Sequence, residues 1–194
     1  MAPAPEWLDR AAYPFTARYL NVDGGRMHYV DEGSGEPLVF VHGTPTWSFL
    51  YRHLIRALTP TYRCIAADNI GFGLSDKPAD WGYDFAAHTR NLTHLFDRLS
   101  LGRFTLFVHD LGGPIGLAFA LAHPERISRL VIANTTLWPL EGAFAPPAAA
   151  KLFSTALGRF LYLRMNVSPR TLLPPSPVSW RGGCLCVRFH PADR

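Results

Sequence analysis

The chain has 194 residues, 48% hydrophobic and 18% charged, which is ample material for the core of one ordinary domain and rules out disorder throughout. Its 19 Lys+Arg against 15 Asp+Glu give +4, spread without a basic cluster or interleaved aromatics, which argues against a nucleic-acid partner. Cys64, Cys184 and Cys186 supply neither a closed disulfide framework nor paired zinc half-sites, and no apolar run reaches the ~18 residues of a membrane span.

Residues 1–15 carry Glu6 and Asp9 and lack the apolar stretch of a secretory leader, so the expected location is the cytoplasm. Residues 18–23 and 26–31 alternate like two strands joined at Asp23-Gly24-Gly25, a hairpin signal. The run Pro37–Val41 predicts a buried strand, His42-Gly43-Thr44-Pro45 a turn, and Trp47–Leu58 a helix. A strand follows over Tyr62–Ala67, then a Gly-rich loop over Asp68–Pro78. The spacing of Phe85, Leu92, Leu95, Phe96 and Leu99 makes one face of a helix over Asp84–Leu99. The pattern repeats with a strand over Phe104–Val108, a helix over Gly113–His123 and a strand over Leu130–Ala133.

Alternating strands and helices imply a mainly parallel sheet with helices on both faces and a ligand site at the carboxyl ends of the strands. From Pro139 the sequence turns alanine-rich and helix-prone, and from Pro174 it shows neither helical nor strand periodicity. The expected organisation is an α/β core over 15–138, the start of a helical cap over 139–173 and an unpatterned tail over 174–194. The four arginines after Asn166 outweigh Asp193, so the basic excess belongs to that end. No structural partner is expected for the tail, and the Leu130–Ala133 strand is expected to be an uncovered apolar edge.

The segment Phe107-Val108-His109-Asp110-Leu111-Gly112-Gly113 has the form of a nucleophile elbow, a strand turning sharply into a helix with the reactive side chain at the tip. The tip residue is Asp110, and a carboxylate suits displacement at an sp3 carbon through an alkyl ester that water then hydrolyses. The competing reading of Asp110 is a helix N-cap. The His42-Gly43-Thr44-Pro45 turn favours the first, since in this architecture it approaches the elbow and brings a second backbone donor.

Together with Thr46-Trp47-Ser48-Phe49-Leu50-Tyr51-Arg52, Asp68-Asn69-Ile70-Gly71-Phe72-Gly73-Leu74-Ser75-Asp76-Lys77-Pro78, His109–Pro114 and Ala122-His123-Pro124-Glu125-Arg126, these motifs resemble the haloalkane dehalogenase branch of the α/β-hydrolase superfamily, with the epoxide hydrolases close behind. The resemblance covers roughly residues 15–173. It implies an α/β-hydrolase fold incomplete at its C-terminus, Asp110 as nucleophile, the backbone N–H groups of Thr44 and Leu111 as oxyanion hole, and a halogenated alkane or epoxide as small-molecule substrate, with no metal or organic cofactor. The Asp68–Pro78 motif is expected to shape a loop.

Three departures stand out. Relatives usually carry Trp directly after the nucleophile to hold the halide; here Leu111 offers no side-chain donor, and Trp47 or Trp138 is the candidate substitute in the pocket. The triad carboxylate is missing where Asn134 stands, with Glu141 a conceivable replacement. Only His123 and His190 follow Asp110, and neither fits the base. The expectation is therefore a truncated hydrolase that forms the alkyl ester but does not turn over. An epoxide hydrolase, which would use cap tyrosines such as Tyr162, and a non-catalytic fragment are the alternatives; a serine esterase lacks its Gly-x-Ser-x-Gly motif.

Overall fold

A computed structural model describes residues 5–135, 155 and 185–187. The hairpin pairs β1 (Arg18–Val22) with β2 (Gly25–Glu32), and β3 (Glu36–Val41) leads through a 3₁₀ turn at Ser48–Tyr51 into α1 (Arg52–Leu58). Then come β4 (Tyr62–Ala67), α2 (Phe85–Arg98), β5 (Phe104–His109), α3 (Gly112–Ala122), β6 (Ile127–Ala133) and β7 (Leu185–Val187). The helix expected over Trp47–Leu58 is thus split. β6 also begins three residues before its apolar run, because Ser128 and Arg129 extend the strand while bonding to Glu36 at the sheet surface.

The sheet order is β1-β2-β4-β3-β5-β6-β7. β4, β3, β5 and β6 are parallel, and β2 and β7 run antiparallel to their neighbours. The alternation of the central strands explains the layers. Val39, Val41, Ile65 and Leu106 face α2 and α3, where they meet Leu92, Phe96 and Phe119. Leu38, Phe40, Cys64 and Ala66 face α1 and the N-terminal arm, where they meet Ile55, Tyr13 and Phe15. Each central strand is therefore buried on both faces, as the continuous apolar runs require.

Two expectations need correction. Residues Leu185–Val187, inside the stretch read as an unpatterned tail, pair with Leu130–Ile132; a three-residue strand is too short to leave a period in the sequence. The β6 edge is covered there. Phe85, assigned to the buried face of its helix, is exposed at 46%: it is the first residue of α2, where the face has turned outward, and the buried positions are Ala87, His88, Asn91, Leu92, Leu95 and Phe96.

The chain passes from β3 to β4 on one side and then crosses back to place β5 on the other side of β3. That reversal makes the carboxyl ends of β3 and β5 the switch point where open α/β sheets leave a crevice. His42-Gly43-Thr44 follows the first of these strands and Asp110 the second.

Candidate active site

Asp110 directly follows β5 with φ +51°, a left-handed conformation that a non-glycine residue holds only when its surroundings enforce it, at a cost of order 1–3 kcal/mol. Three backbone contacts do so. The Asp110 N–H donates to the Asn134 carbonyl at 3.3 Å, its carbonyl accepts from the Gly113 N–H at 3.0 Å, and the Thr135 hydroxyl donates to the same carbonyl. Gly112 lets α3 start this close to β3, since a methyl group there would strike the Val41 and His42 carbonyls.

The side chain is left for other work. Asp110 Oδ1 accepts the Thr44 N–H at 2.8 Å, and no α3 amide bonds to it; the first flanking residue of that helix is Leu111, without a side-chain cap. The N-cap reading of Asp110 is therefore not the arrangement found. Gly43 fits between the two turns, and a methyl there would strike the Asp110 carboxylate and the Leu111 amide. Thr44 and Leu111 amides thus flank one carboxylate.

What aims the Thr44 amide is the peptide it belongs to. The Gly43 carbonyl accepts from the Thr46 N–H at 3.1 Å, the Thr46 hydroxyl at 3.0 Å and His42 Nδ1 at 2.9 Å. In a planar trans peptide the carbonyl and the N–H point opposite ways, so holding the Gly43 oxygen turns the Thr44 N–H toward Asp110. His42 is itself fixed, because Nε2 accepts the Asn69 N–H at 2.9 Å. Nδ1 therefore carries the proton, and burial pushes the pKa down so the ring stays neutral. With both nitrogens engaged, His42 braces the loop.

Asp68 closes β4 in a different manner. It is fully buried and accepts from His28 Nδ1 at 2.9 Å, the Ser48 N–H at 2.8 Å and the Leu74 N–H at 2.8 Å. Burial alone would raise its pKa; the His28 hydrogen bond, the neighbouring His28 and His42 rings and the Ser48 bond reverse the direction and hold it below the usual carboxylate range. This carboxylate ties the strand hairpin, the loop after Trp47 and the Asp68–Pro78 loop together, which is the shaping role its motif suggested.

Trp47 is engaged in an aromatic cluster, 5.3 Å from Phe49, 5.0 Å from Tyr13 and 5.9 Å from Trp7 by ring centres. Trp138, Glu141, Tyr162 and His190 lie outside the described residues. His109 is the last residue of β5, and its Nδ1 is buried without a partner. His123 follows the last residue of α3, whose 11 residues span about 16 Å, so it stands far from Asp110 and 3.6 Å from Glu125. Asn134 sits beside the turn with φ +46° and contributes its carbonyl. Among the described residues no cluster of three or more His, Cys, Asp or Glu is placed to hold a metal ion, and no helix is long and apolar enough to cross a membrane.

His88 belongs to none of the motifs in the sequence. It borders a cavity of about 100 Å³ whose wall includes Thr44 and Leu111. Its place four residues before Leu92 was the available signal: a histidine at a core position of an amphipathic helix.

Strand ends meeting at a switch point, a strained aspartate at the tip of a strand-to-helix turn and a facing amide define an α/β protein with its candidate site above the parallel sheet. The chain belongs to the alpha/beta hydrolase fold family, whose model matches residues 36–171, and the resemblance to the haloalkane dehalogenase branch is borne out. It is 40% identical over 166 residues to haloalkane dehalogenase 2 of Mycobacterium tuberculosis, covering 86% of this chain and 58% of that protein. It is 46% identical over 157 residues to a cis-3-alkyl-4-alkyloxetan-2-one decarboxylase of Shewanella oneidensis, covering 79% and 49%. Among solved structures, the haloalkane dehalogenase DatA from Agrobacterium tumefaciens C58 superposes with a TM-score of 0.73 at 31% identity, covering 89% of this chain and 62% of that one. The chain thus spans about half to three fifths of the length of these relatives.

Proposed function

We propose that the chain carries the nucleophilic half of a haloalkane dehalogenase-type hydrolase, with Asp110 as nucleophile and the Thr44 and Leu111 amides as oxyanion donors. The single observation that carries this reading is the 2.8 Å bond from the Thr44 N–H to Asp110 Oδ1, which puts an amide beside the tip carboxylate. A carboxylate oxygen attacks the sp3 carbon of a halogenated alkane; the carbon–halogen bond breaks, the halide leaves with the electron pair, and an alkyl ester of Asp110 remains. Water attack on the ester carbonyl then builds negative charge on its oxygen, where fixed amide donors lower the barrier. No metal or organic cofactor enters these steps. The core over 15–138 would supply this half of the site, and a cap beginning at 139 would cover it.

Ester hydrolysis needs a general base. His42 is committed through both nitrogens, and His123 stands at the far end of α3. His88, pushed down by burial to about 4, is too weak a base, so none of the described residues serves and the chain is expected to accumulate the ester. Incubation with 1-iodobutane followed by intact-mass measurement tests this: a single butyl adduct on the native chain, absent from Asp110→Asn, is the expected outcome. Sustained halide release with unmodified protein would show that a base is present.

A second reading has its own support. The decarboxylase relative is 46% identical, and Leu111 lacks the side-chain donor that halide capture calls for. A strained four-membered oxetan-2-one ring offers a carbon–oxygen bond to the same carboxylate, with the leaving carboxylate kept on the substrate. Parallel incubations with a cis-dialkyl oxetan-2-one, an epoxide and a haloalkane separate the readings by which one modifies Asp110 or is consumed.

A further inference from the structure

α2 presents one buried titratable side chain that makes no hydrogen bond among the described residues. His88 is 4% exposed and lies edge-on to Trp81, with ring centres 4.8 Å apart at 80°. Its Nδ1 is sealed from solvent without a hydrogen-bond partner, and among the described residues none bonds Nε2, which is not sealed. Nδ1 thus stays an unpaired acceptor, at a cost of about 1–3 kcal/mol, and Nε2 is the nitrogen left for a ligand, which needs a space beside it.

The surroundings supply one. The ring borders the cavity of about 100 Å³ that shares Thr44 and Leu111 with the candidate oxyanion donors. Phe72, Phe85, Leu111 and Ile115 give that cavity an apolar wall. Two of its polar side chains are already committed: His42 through both nitrogens, and Tyr83 through its hydroxyl, which donates to the Pro78 carbonyl at 2.5 Å. The volume equals about three water-sized groups, room for a short alkyl chain ending in a halogen or oxygen. Burial pushes the His88 pKa down to about 4, so near neutral pH the ring offers an N–H without surrendering a proton.

We propose that His88 is a specificity-determining residue whose Nε2–H donates a hydrogen bond to the departing atom of the substrate, taking the place of the side-chain donor absent at Leu111. The inference rests on the reading of Asp110 as nucleophile. As the Asp110 oxygen forms its bond to carbon, the carbon–halogen bond breaks, the halide takes both electrons, and the His88 N–H···halide contact strengthens with no proton transferred. Chloride accepts hydrogen bonds more strongly than iodide, so loss of the donor penalises chloroalkanes more.

Rates of butyl-adduct formation with 1-chlorobutane and 1-iodobutane, compared between the native chain, His88→Phe and His88→Gln, test this. His88→Phe keeps a ring of similar shape without nitrogens and is expected to slow the chloride reaction on the order of 10²-fold and the iodide reaction distinctly less. His88→Gln, which restores a donor, is expected to recover part of the loss. An unchanged chloride-to-iodide ratio in a His88→Phe protein with native circular dichroism would overturn the proposal. A second measurement does not depend on reaction: ¹⁵N spectra of the imidazoles of Asp110→Asn titrated with 1-chlorobutane. A shift at the His88 ring is expected, and an unmoved His88 overturns the inference. Failure of the native chain to form any adduct, with the His88 shift present, counts against the Asp110 reading and not against His88 as the donor.

Discussion

Asp68 and Asp110 follow strands that flank β3 on either side, yet the fold treats them as opposites. Asp68 is wholly buried and accepts three hydrogen bonds, from a histidine and two amides. Asp110 is half-buried and its carboxylate accepts one, from Thr44. The strain is distributed the other way: Asp110, and not Asp68, holds a positive φ. A carboxylate held on both oxygens holds loops together, whereas one fixed through its backbone, with Oδ1 on the Thr44 amide and Oδ2 unbonded among the described residues, is available to attack carbon. Burial and residue type alone would have picked the wrong aspartate.

The largest expected effect sharpens that contrast. Asp110→Asn should lower the rate of alkyl labelling on the order of 10⁴-fold or more, as loss of a nucleophile does, while urea unfolding moves by less than about 1 kcal/mol because every backbone contact at the turn is kept. Asp68→Ala should do the reverse. It leaves His28 buried without its partner and two amides without acceptors, so a loss of about 3–5 kcal/mol in urea unfolding is expected. An Asp68→Ala protein of native stability would break the comparison, since the three bonds would then not be holding the loops.

Acid separates the groups further. The folded pKa of His88 lies at about 4 against an ordinary 6.5, so as pH falls the unfolded chain binds this proton first. The stability it contributes is full above pH 6.5 and is lost between 6.5 and 4, by roughly 3 kcal/mol. His42 shifts in the same direction and adds to that window. Asp68 is lowered below its ordinary 3.8, so its contribution is present above that value and is lost only as pH falls through the lower folded pKa. Unfolding free energy measured from pH 8 to pH 3 should show the histidine loss first, and His88→Phe should shrink it; a flat profile between 6.5 and 4 would contradict the buried neutral ring.

Much of this was legible in the sequence because two-sided burial leaves a continuous apolar run: the strand over Tyr62–Ala67 and the turn residues of Thr44 and Asp110 could be placed before any geometry. What was not legible depended on contacts between distant segments. Leu185–Val187 makes a strand only because β6 offers it an edge. The split of the Trp47–Leu58 helix follows from Asp68 capturing the Ser48 amide across 20 residues. His88 sits at a helical core position where spacing predicts an apolar side chain, and only the absence of a partner reveals it as unusual. The choice between nucleophile and N-cap for Asp110 likewise required seeing that Thr44, and no helix amide, reaches the carboxylate.

The smallest predicted effect probes how the tip is held. The Thr135 hydroxyl donates to the Asp110 carbonyl, which among the described residues otherwise accepts only the Gly113 amide. Thr135→Val keeps the shape and removes the donor at a half-buried site, so the net loss in urea unfolding is expected to be about 1 kcal/mol. Because the same bond helps to keep the left-handed backbone of Asp110, alkyl labelling should slow in step, by no more than the roughly fivefold that 1 kcal/mol allows. Equal losses in stability and labelling would mean that the bond acts by holding the turn. A labelling rate that falls without any stability change would mean that Thr135 acts on the reacting carboxylate itself, and the separation between a fixed backbone and a free side chain at Asp110 would have to be abandoned.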